Sequence, residues 1–273
     1  MARVQLPESK LRARKRRHRV VVVALWATLA LLFVGGIAFA THLPHIRIVE
    51  VTVTGVEGTE AQSVVSAVKA RLAGNYLFIF PRNNVLLYPR SSISAELLRK
   101  NPMYASIDIN PKNPRALEVV VAKRTPKSIW CGEARLSPSP CLLLDERGVA
   151  YEAAPAAQQI VYTSYFGLLK GNTLPRQYLT EEEYRSLVAL VLALEADQES
   201  RIATVEVDGT KDVRMRFAGG FELIFALKDG GGDVYERFTL ALTAEPFTTH
   251  SLSSFEYLDL RFGDRLYYKL KGE

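Results

Sequence analysis

The residues that could carry chemistry in this sequence are few and scattered. Among four histidines, only His42 and His45 have the i, i+3 spacing that places two side chains on one helix face. They directly follow an apolar segment, and polar aromatic side chains are common where a chain leaves a membrane. The sequence contains no G-x-S-x-G, H-E-x-x-H or C-x-x-C motif. We therefore expect no catalytic residue, no metal site and no cofactor, and a protein that works by binding.

The remaining reactive pair is Cys131 and Cys141, which flank a turn-rich loop, Gly132 to Pro140. In an oxidising compartment, a disulfide across the base of this loop would stabilise the fold by roughly 2–3 kcal/mol. The alternative is two free, partly buried thiols. The sequence leaves both open, and it disfavours zinc because no histidine and no C-x-x-C pair lies nearby.

The element that must position everything else is an uncharged apolar segment, Val20 to Ala40. A helix of this length is roughly 31 Å long, about the thickness of a hydrocarbon core. The segment therefore predicts a single transmembrane helix, residues 20–40. Ala38-Phe39-Ala40 also matches a signal-peptide cleavage site, but the apolar run exceeds the roughly 7–15 residues of a signal core, which favours a retained anchor.

Charge assigns the two sides of this helix. The tail, residues 1–19, is basic, with Glu8 as its single acidic residue, and it carries the positive excess of a chain whose net charge is +6. The positive-inside rule predicts a cytoplasmic tail and an extracytoplasmic remainder. A polybasic tail can also bind nucleic acid. Its junction with an apolar helix favours contact with membrane lipid instead, so we expect no nucleic-acid partner.

After the helix, the sequence predicts a small β-α-α-β-β domain over residues 46–124. Three stretches alternate apolar and polar residues as strands do, and two show helical spacing. In chain order they are residues 49–53 (strand), 59–72 (helix), 92–100 (helix), 103–109 (strand) and 117–121 (strand). Thr59 with Gln62 fits a capping box at the start of the first helix. The two helices would cover one face of a three-stranded sheet.

Residues 125–262 predict a second domain that is mixed α+β with a mostly antiparallel sheet. Thr180 and Glu183 fit a capping box that starts a helix. Gly219-Gly220 separates two alternating stretches and predicts a hairpin. The last strand is Phe255–Phe262. The C-terminal residues 263–273 continue its alternation, so they either form the second strand of a hairpin or extend the same strand.

Three stretches carry a resemblance to a known family. Val121–Trp130 contains Arg-Thr-Pro followed by a tryptophan, Leu142–Tyr151 contains Leu-Asp-x-x-Gly-x-x-Tyr, and Phe255–Phe262 contains Asp-Leu-Arg-Phe. In their order after a span and a β-α-α-β-β unit, they resemble the FtsQ/DivIB family of bacterial cell-division proteins, whose first extracytoplasmic domain is a POTRA domain. The family usually has Glu before the arginine, where this chain has Lys123.

The resemblance implies a single-pass scaffold of the cell membrane, at the division septum, that links early and late division proteins. Its C-terminal edge strand would bind the FtsB/FtsL pair by strand addition. Tyr257, Arg261 and Phe262 would contact that pair, while Asp259 and Leu260 hold the register of the strand. Other division proteins would bind the POTRA-like domain.

Two alternatives stay open at this stage. Leu258, Leu260 and Phe262 could be ordinary core residues on one strand face. The chain could also be a POTRA-containing component of envelope transport or secretion that binds extended polypeptide.

Overall fold

This α+β chain consists of two compact units in a computed structural model that describes residues 10–136, 139–159, 161–198, 200–263 and 265–272. Unit 1 is Met1–Leu98 with Ser106–Ala122, and unit 2 is Arg99–Ala105 with Lys123–Glu273. Part of the predicted basic tail (residues 1–9), two residues of the cysteine loop (137–138) and Asp264 lie outside the described residues.

Helix α1, Lys10–Thr41, begins in the basic tail and continues through the predicted span. Within the described ranges it provides the one helix long and apolar enough to cross a membrane, over Lys15–Thr41, and its most apolar 18 residues have a mean hydropathy of 2.6 and are not buried by protein. The helix begins well before Val20 because lysine and arginine are good helix formers. The basic residues from Lys10 onward are therefore continuous with the apolar segment in one helix.

After α1, unit 1 is built on a three-stranded sheet with two helices and a small hairpin. The elements are β1 Glu50–Thr54, α2 Gly58–Leu72, β2 Asn75–Tyr76, β3 Phe80–Pro81, α3 Arg90–Lys100, β4 Tyr104–Asn113 and β5 Ala116–Lys123. The sheet order is β1-β5-β4, and β1 runs parallel to β5. Val64, Val68 and Leu72 of α2 are buried at a spacing of four residues, the spacing of one helix face.

The turn from β1 into α2 contains a required glycine and lacks the predicted capping box. Gly55 has φ +90°, and a Cβ there would lie 1.9 Å from the carbonyl oxygen of Val121, so this position requires glycine. Helix α2 begins at Gly58, with Glu57 as N-cap and no side-chain capping hydrogen bond. The capping box predicted at Thr59 is wrong because Thr59 already lies inside the helix.

Unit 2 is built on one large mixed sheet. Its elements are β6 Ser128–Trp130, β7 Leu142–Leu144, β8 Val149–Ala153, α4 Ala156–Gln159, β9 Ser164–Phe166, β10 Arg176–Gln177, α5 Glu181–Gln198, β11 Ile202–Val207, β12 Asp212–Phe217, β13 Glu222–Ala226, α6 Gly231–Leu242, β14 Phe255–Phe262 and β15 Arg265–Leu270. The ten strands lie in the order β10-β8-β7-β6-β9-β11-β12-β13-β14-β15. Neighbours are antiparallel except β6–β9, β9–β11 and β13–β14, which are parallel.

Helices α5 and α6 pack on this sheet and close its main core. The core joins Leu187 and Leu194 of α5 and Phe238 of α6 to strand residues such as Leu223 and Leu258. The predicted hairpin at Gly219-Gly220 is confirmed as β12–β13, with Met215 opposite Leu223.

The capping box predicted at Thr180 and Glu183 is also confirmed. The Thr180 N–H donates to Glu183 Oε2 at 3.1 Å, and the Glu183 N–H donates to Thr180 Oγ1 at 3.3 Å. The side chain of Lys211 also donates to the Glu183 carboxylate, and these hydrogen bonds lower the pKa of Glu183 against the opposing effect of burial. The start of α5 is therefore fixed both by its own cap and by the β11–β12 turn.

Candidate partner-binding strand

Strand β14 contains the residues that the sequence marks for partner binding, but it lies inside the sheet. Strand β13 pairs with it in parallel on one side, and β15 pairs with it in antiparallel fashion on the other. Leu258 and Leu260 are buried, as expected for core residues. The sequence predicts Phe255–Phe262 as an edge strand, but on this side of the sheet the edge lies one strand further along the chain.

The edge strand is β15, the second strand of a C-terminal hairpin. Gly263, at φ +62°, follows β14 directly, and the hairpin pairs Leu258 with Tyr268 and Asp259 with Tyr267. Of the two arrangements that the sequence allows for residues 263–273, the structure has the hairpin. In the described part of the chain, no strand pairs with the outer side of β15.

Two tyrosines make β15 an aromatic edge. Tyr267 is 49% exposed and Tyr268 is 43% exposed, and as neighbours on a strand they point to opposite faces of the sheet. The Tyr267 ring meets Phe262 edge-on at 5.0 Å, and the Tyr268 ring meets Phe255 edge-on at 5.8 Å. These contacts hold both rings in place while leaving part of each ring open to solvent.

Arg261 is engaged within the sheet. Its guanidinium donates to Asp259 Oδ2 and Asp212 Oδ2, each at 2.6 Å, and it lies 5.6 Å from the centre of the Phe262 ring. The two carboxylates raise the pKa of Arg261. Burial alone would raise the pKa of Asp259, but the hydrogen bonds from Arg261 outweigh burial and lower it. Arg261 therefore fixes the end of β14 against β12.

Of the three predicted contact residues, the structure brings Arg261 and Phe262 together and sets Tyr257 apart. Phe262 is 54% exposed at the end of β14. Next to it, a surface depression of about 380 Å³ is lined by Arg261, Phe262 and two lysines, Lys211 and Lys228, among others. Tyr257 is half-buried near the other end of the strand, opposite Lys269 of β15, whose ammonium pairs with Glu256 at 2.7 Å.

The structure joins Cys131 and Cys141 by a disulfide bond, with sulfurs 2.03 Å apart. Strands β6 and β7 pair Trp130 with Leu142, so the next residue outward on each strand is a cysteine. Strand register therefore sets the two cysteines opposite each other. The bond closes the base of the loop, beside a small second core that contains Ile129 and Phe166.

The sequence pattern does not mark Leu266, Tyr267 and Tyr268 as edge residues. The signal that could have found them is Gly263, a residue able to turn the chain directly after an alternating stretch. In the described ranges, no group of three or more His, Cys, Asp or Glu side chains is placed to hold a metal ion.

Comparison with known proteins adds no family assignment. No protein-family model matches the chain, and no curated protein matches it significantly.

Proposed function

We propose that this protein is a bitopic membrane scaffold of the bacterial divisome, with a cytoplasmic N-terminus and its bulk outside the cytoplasm, that links early and late division proteins at the septum. It binds a pair of proteins of the FtsB/FtsL type by adding one of their strands to β15. The observation that carries the proposal is the uncovered edge of β15 with its two half-exposed tyrosines. The resemblance of Phe255–Phe262 to the C-terminal signature of the FtsQ/DivIB family supports the choice of partner.

Unit 1 is the POTRA-like module in this proposal. Its support is the element order β1-α2-α3-β4-β5 and the sheet order β1-β5-β4, in which the first strand pairs in parallel with the last. The hairpin β2–β3 is an insertion between the two helices. This module is the proposed contact for other division proteins.

Strand addition suits β15 for a backbone reason. In an antiparallel pair, every second residue directs its N–H and C=O groups away from the neighbouring strand. At an edge these groups are free to pair with another chain, and such pairing gives affinity without a specific sequence. Specificity comes from the side chains that flank the added strand, here Tyr267 on one face and Tyr268 on the other.

The aromatic packing lowers the cost of binding. Tyrosine supplies a large contact area and is enriched among the residues that dominate interface energies. Because Phe262 and Phe255 already hold the two tyrosine rings, little side-chain freedom remains to be lost when a partner arrives. Phe262 then contributes as a support of the edge and, through its exposed half, as a contact at its end.

The test measures the affinity of the full chain, in lipid nanodiscs, for the host's FtsB/FtsL-type pair. We expect Tyr267→Lys to weaken binding about tenfold, or about 1.4 kcal/mol. A lysine on an edge strand is a known protection against strand addition because pairing would bury its charge. The matched control is Leu240→Lys, an exposed leucine on helix α6. Equal affinity for both variants and the native chain would contradict the role of β15.

Localisation distinguishes division from transport. A fluorescent fusion of the native chain should be enriched at mid-cell in dividing cells, and Tyr267→Lys should retain less of the partner pair there. A signal spread evenly over the envelope would contradict the division role and favour the transport alternative.

A further inference from the structure

Unit 1 exposes large apolar side chains at two neighbouring turns of one segment, residues 75–87. Phe78 is 97% exposed and Leu77 is 81% exposed in the β2–β3 turn, and Leu86 is 80% exposed in the turn after β3. Ile79 and Leu87 are exposed beside them. Single exposed leucines are ordinary, but five apolar side chains within one short segment indicate a surface that meets something apolar.

The backbone of the first turn is strained as well as apolar. Leu77 has φ +48° and Phe78 has φ +63°, a left-handed conformation that bulky residues rarely adopt. Glycine or asparagine would relieve this strain and would be better solvated. Strain of this kind is typical of functional turns, and here it projects an aromatic side chain away from the protein.

The 75–87 segment is bound directly to the chain that leaves α1. Asn84 is fully buried, and its side-chain amide donates to the carbonyl oxygen of Thr41, the last residue of α1, at 3.0 Å. The Val85 N–H donates to the carbonyl of Ile46 at 3.0 Å, and the Ile48 N–H donates to that of Asn83 at 2.7 Å. The two apolar turns therefore flank a stretch that is fixed at the end of the candidate span.

Two arginines lie in the same region. The guanidinium of Arg82 lies 5.1 Å from the centre of the Tyr76 ring, and Arg47 forms a β-bridge with Asn84. Neither arginine forms an ion pair with any described residue. A surface that combines apolar tips with unpaired cations is suited to the boundary between acyl chains and anionic headgroups.

We propose that the 75–87 segment dips into the bilayer surface on the side where α1 ends, with Phe78, Leu77 and Leu86 among the acyl chains and Arg47 and Arg82 at the phosphates. We infer that the segment meets lipid because it is anchored at the end of the span. Its small hairpin also exposes apolar side chains, whereas the backbone of β2 and β3 is already paired. The segment gives unit 1 a second membrane attachment, which limits how the rest of unit 1 tilts relative to α1. This inference needs α1 to span a membrane but does not depend on the divisome role or on β15.

The test uses the full chain in nanodiscs of phosphatidylcholine and phosphatidylglycerol. Because both native cysteines are in the disulfide, Phe78→Cys introduces the one thiol free for an environment-sensitive fluorophore. Lipids that carry a nitroxide just below the headgroup then report contact. We expect several-fold quenching at position 78. The control is Thr59→Cys, exposed at the start of α2 and separated from α1 by the whole of β1; we expect no quenching there.

Leu86→Cys gives an independent reading in case a label at position 78 perturbs its strained turn. Quenching at 78 or 86, with none at 59, supports the proposal. Equal signals at all three positions would overturn it. It would also be overturned by a fluorescence change that follows protein concentration and ignores the nitroxide, because that result would indicate a second copy of the chain instead of lipid.

Discussion

Strand β15 and the 75–87 segment both expose apolar side chains, but they differ in what their backbone offers. Strand β15 is an edge strand, and among the described residues no strand pairs with its outer backbone groups. In the 75–87 segment, β2 and β3 pair with each other and the central residues Asn83 and Val85 bond to the chain after α1. Strand β15 is therefore suited to pair with a polypeptide, and the segment to meet a medium without hydrogen-bonding groups.

An exposed tyrosine or phenylalanine therefore does not by itself identify its partner. Tyr267 and Tyr268 rest on aromatic neighbours, Phe262 and Phe255, and flank free backbone. Phe78 protrudes from a strained turn. A partner strand gains hydrogen bonds along β15, whereas lipid gains the apolar area of Phe78 and its neighbours and the charges of Arg47 and Arg82.

The largest effect should come from breaking a buried ion pair in unit 2, the unit that contains β15. Asp145 and Arg124 form an ion pair that is almost wholly buried, and the Asp145 carboxylate also accepts hydrogen bonds from the Arg147 and Val149 N–H groups. Asp145→Ala leaves the arginine charge buried and unpaired, so we expect the free energy of unfolding of unit 2 to fall by about 3–5 kcal/mol. Chemical denaturation of the full chain measures this loss.

A control for that variant is available in an exposed pair. Arg185 and Glu181 form an i, i+4 ion pair on α5 at 2.6 Å, and Arg185→Ala should change stability by no more than about 0.5 kcal/mol. Lipid quenching at position 78 should be unchanged in both variants. If Asp145→Ala abolished it, the two surfaces would not be independent.

An intermediate effect is expected when one residue of each surface is replaced and both partner binding and lipid contact are measured. Tyr267→Lys should weaken partner binding about tenfold and leave the lipid contact at position 86 unchanged. Phe78→Lys should do the reverse, because a charged tip is expelled from the acyl region. Both quantities are measured on each variant in nanodiscs. A loss of partner binding in Phe78→Lys would show that the 75–87 segment also contacts protein.

The smallest effect is on the pH dependence of stability. It tests the charge of Asp259, which pairs with Arg261 at the end of β14. Since the pKa of Asp259 is lowered in the folded chain, its ionised form contributes stability above the ordinary aspartate pKa. That contribution is lost as pH falls through the lowered value. Asp259→Asn should therefore be less stable than the native chain at neutral pH, and the difference should shrink in acid. Denaturation at several pH values measures it, and a constant difference would contradict the role of the carboxylate charge.

Local signals in the sequence predicted much of the fold. The uncharged run Val20–Ala40 predicted the apolar helix, alternation predicted the β12–β13 hairpin, and Thr180 with Glu183 predicted the start of α5. Each of these signals acts within a few residues, and at these positions the tertiary structure agrees with it. The same kind of signal failed at Thr59, because α2 begins at Gly58 with Glu57 as N-cap, two residues before the capping pattern.

The candidate site was predicted less well, and for a general reason. Alternation of side chains reports the two faces of a strand but not its lateral neighbours, so it marked Leu258 and Leu260 as core and could not tell an interior strand from an edge. The sequence by itself determined an apolar N-terminal helix, the two kinds of secondary-structure pattern and the aromatic residues near the C-terminus. Only the tertiary structure decided that β15 is the edge, that Cys131 faces Cys141, and that Asn84 ties an exposed apolar turn to the end of α1. Those facts depend on pairings between residues far apart in the chain, which no local pattern encodes.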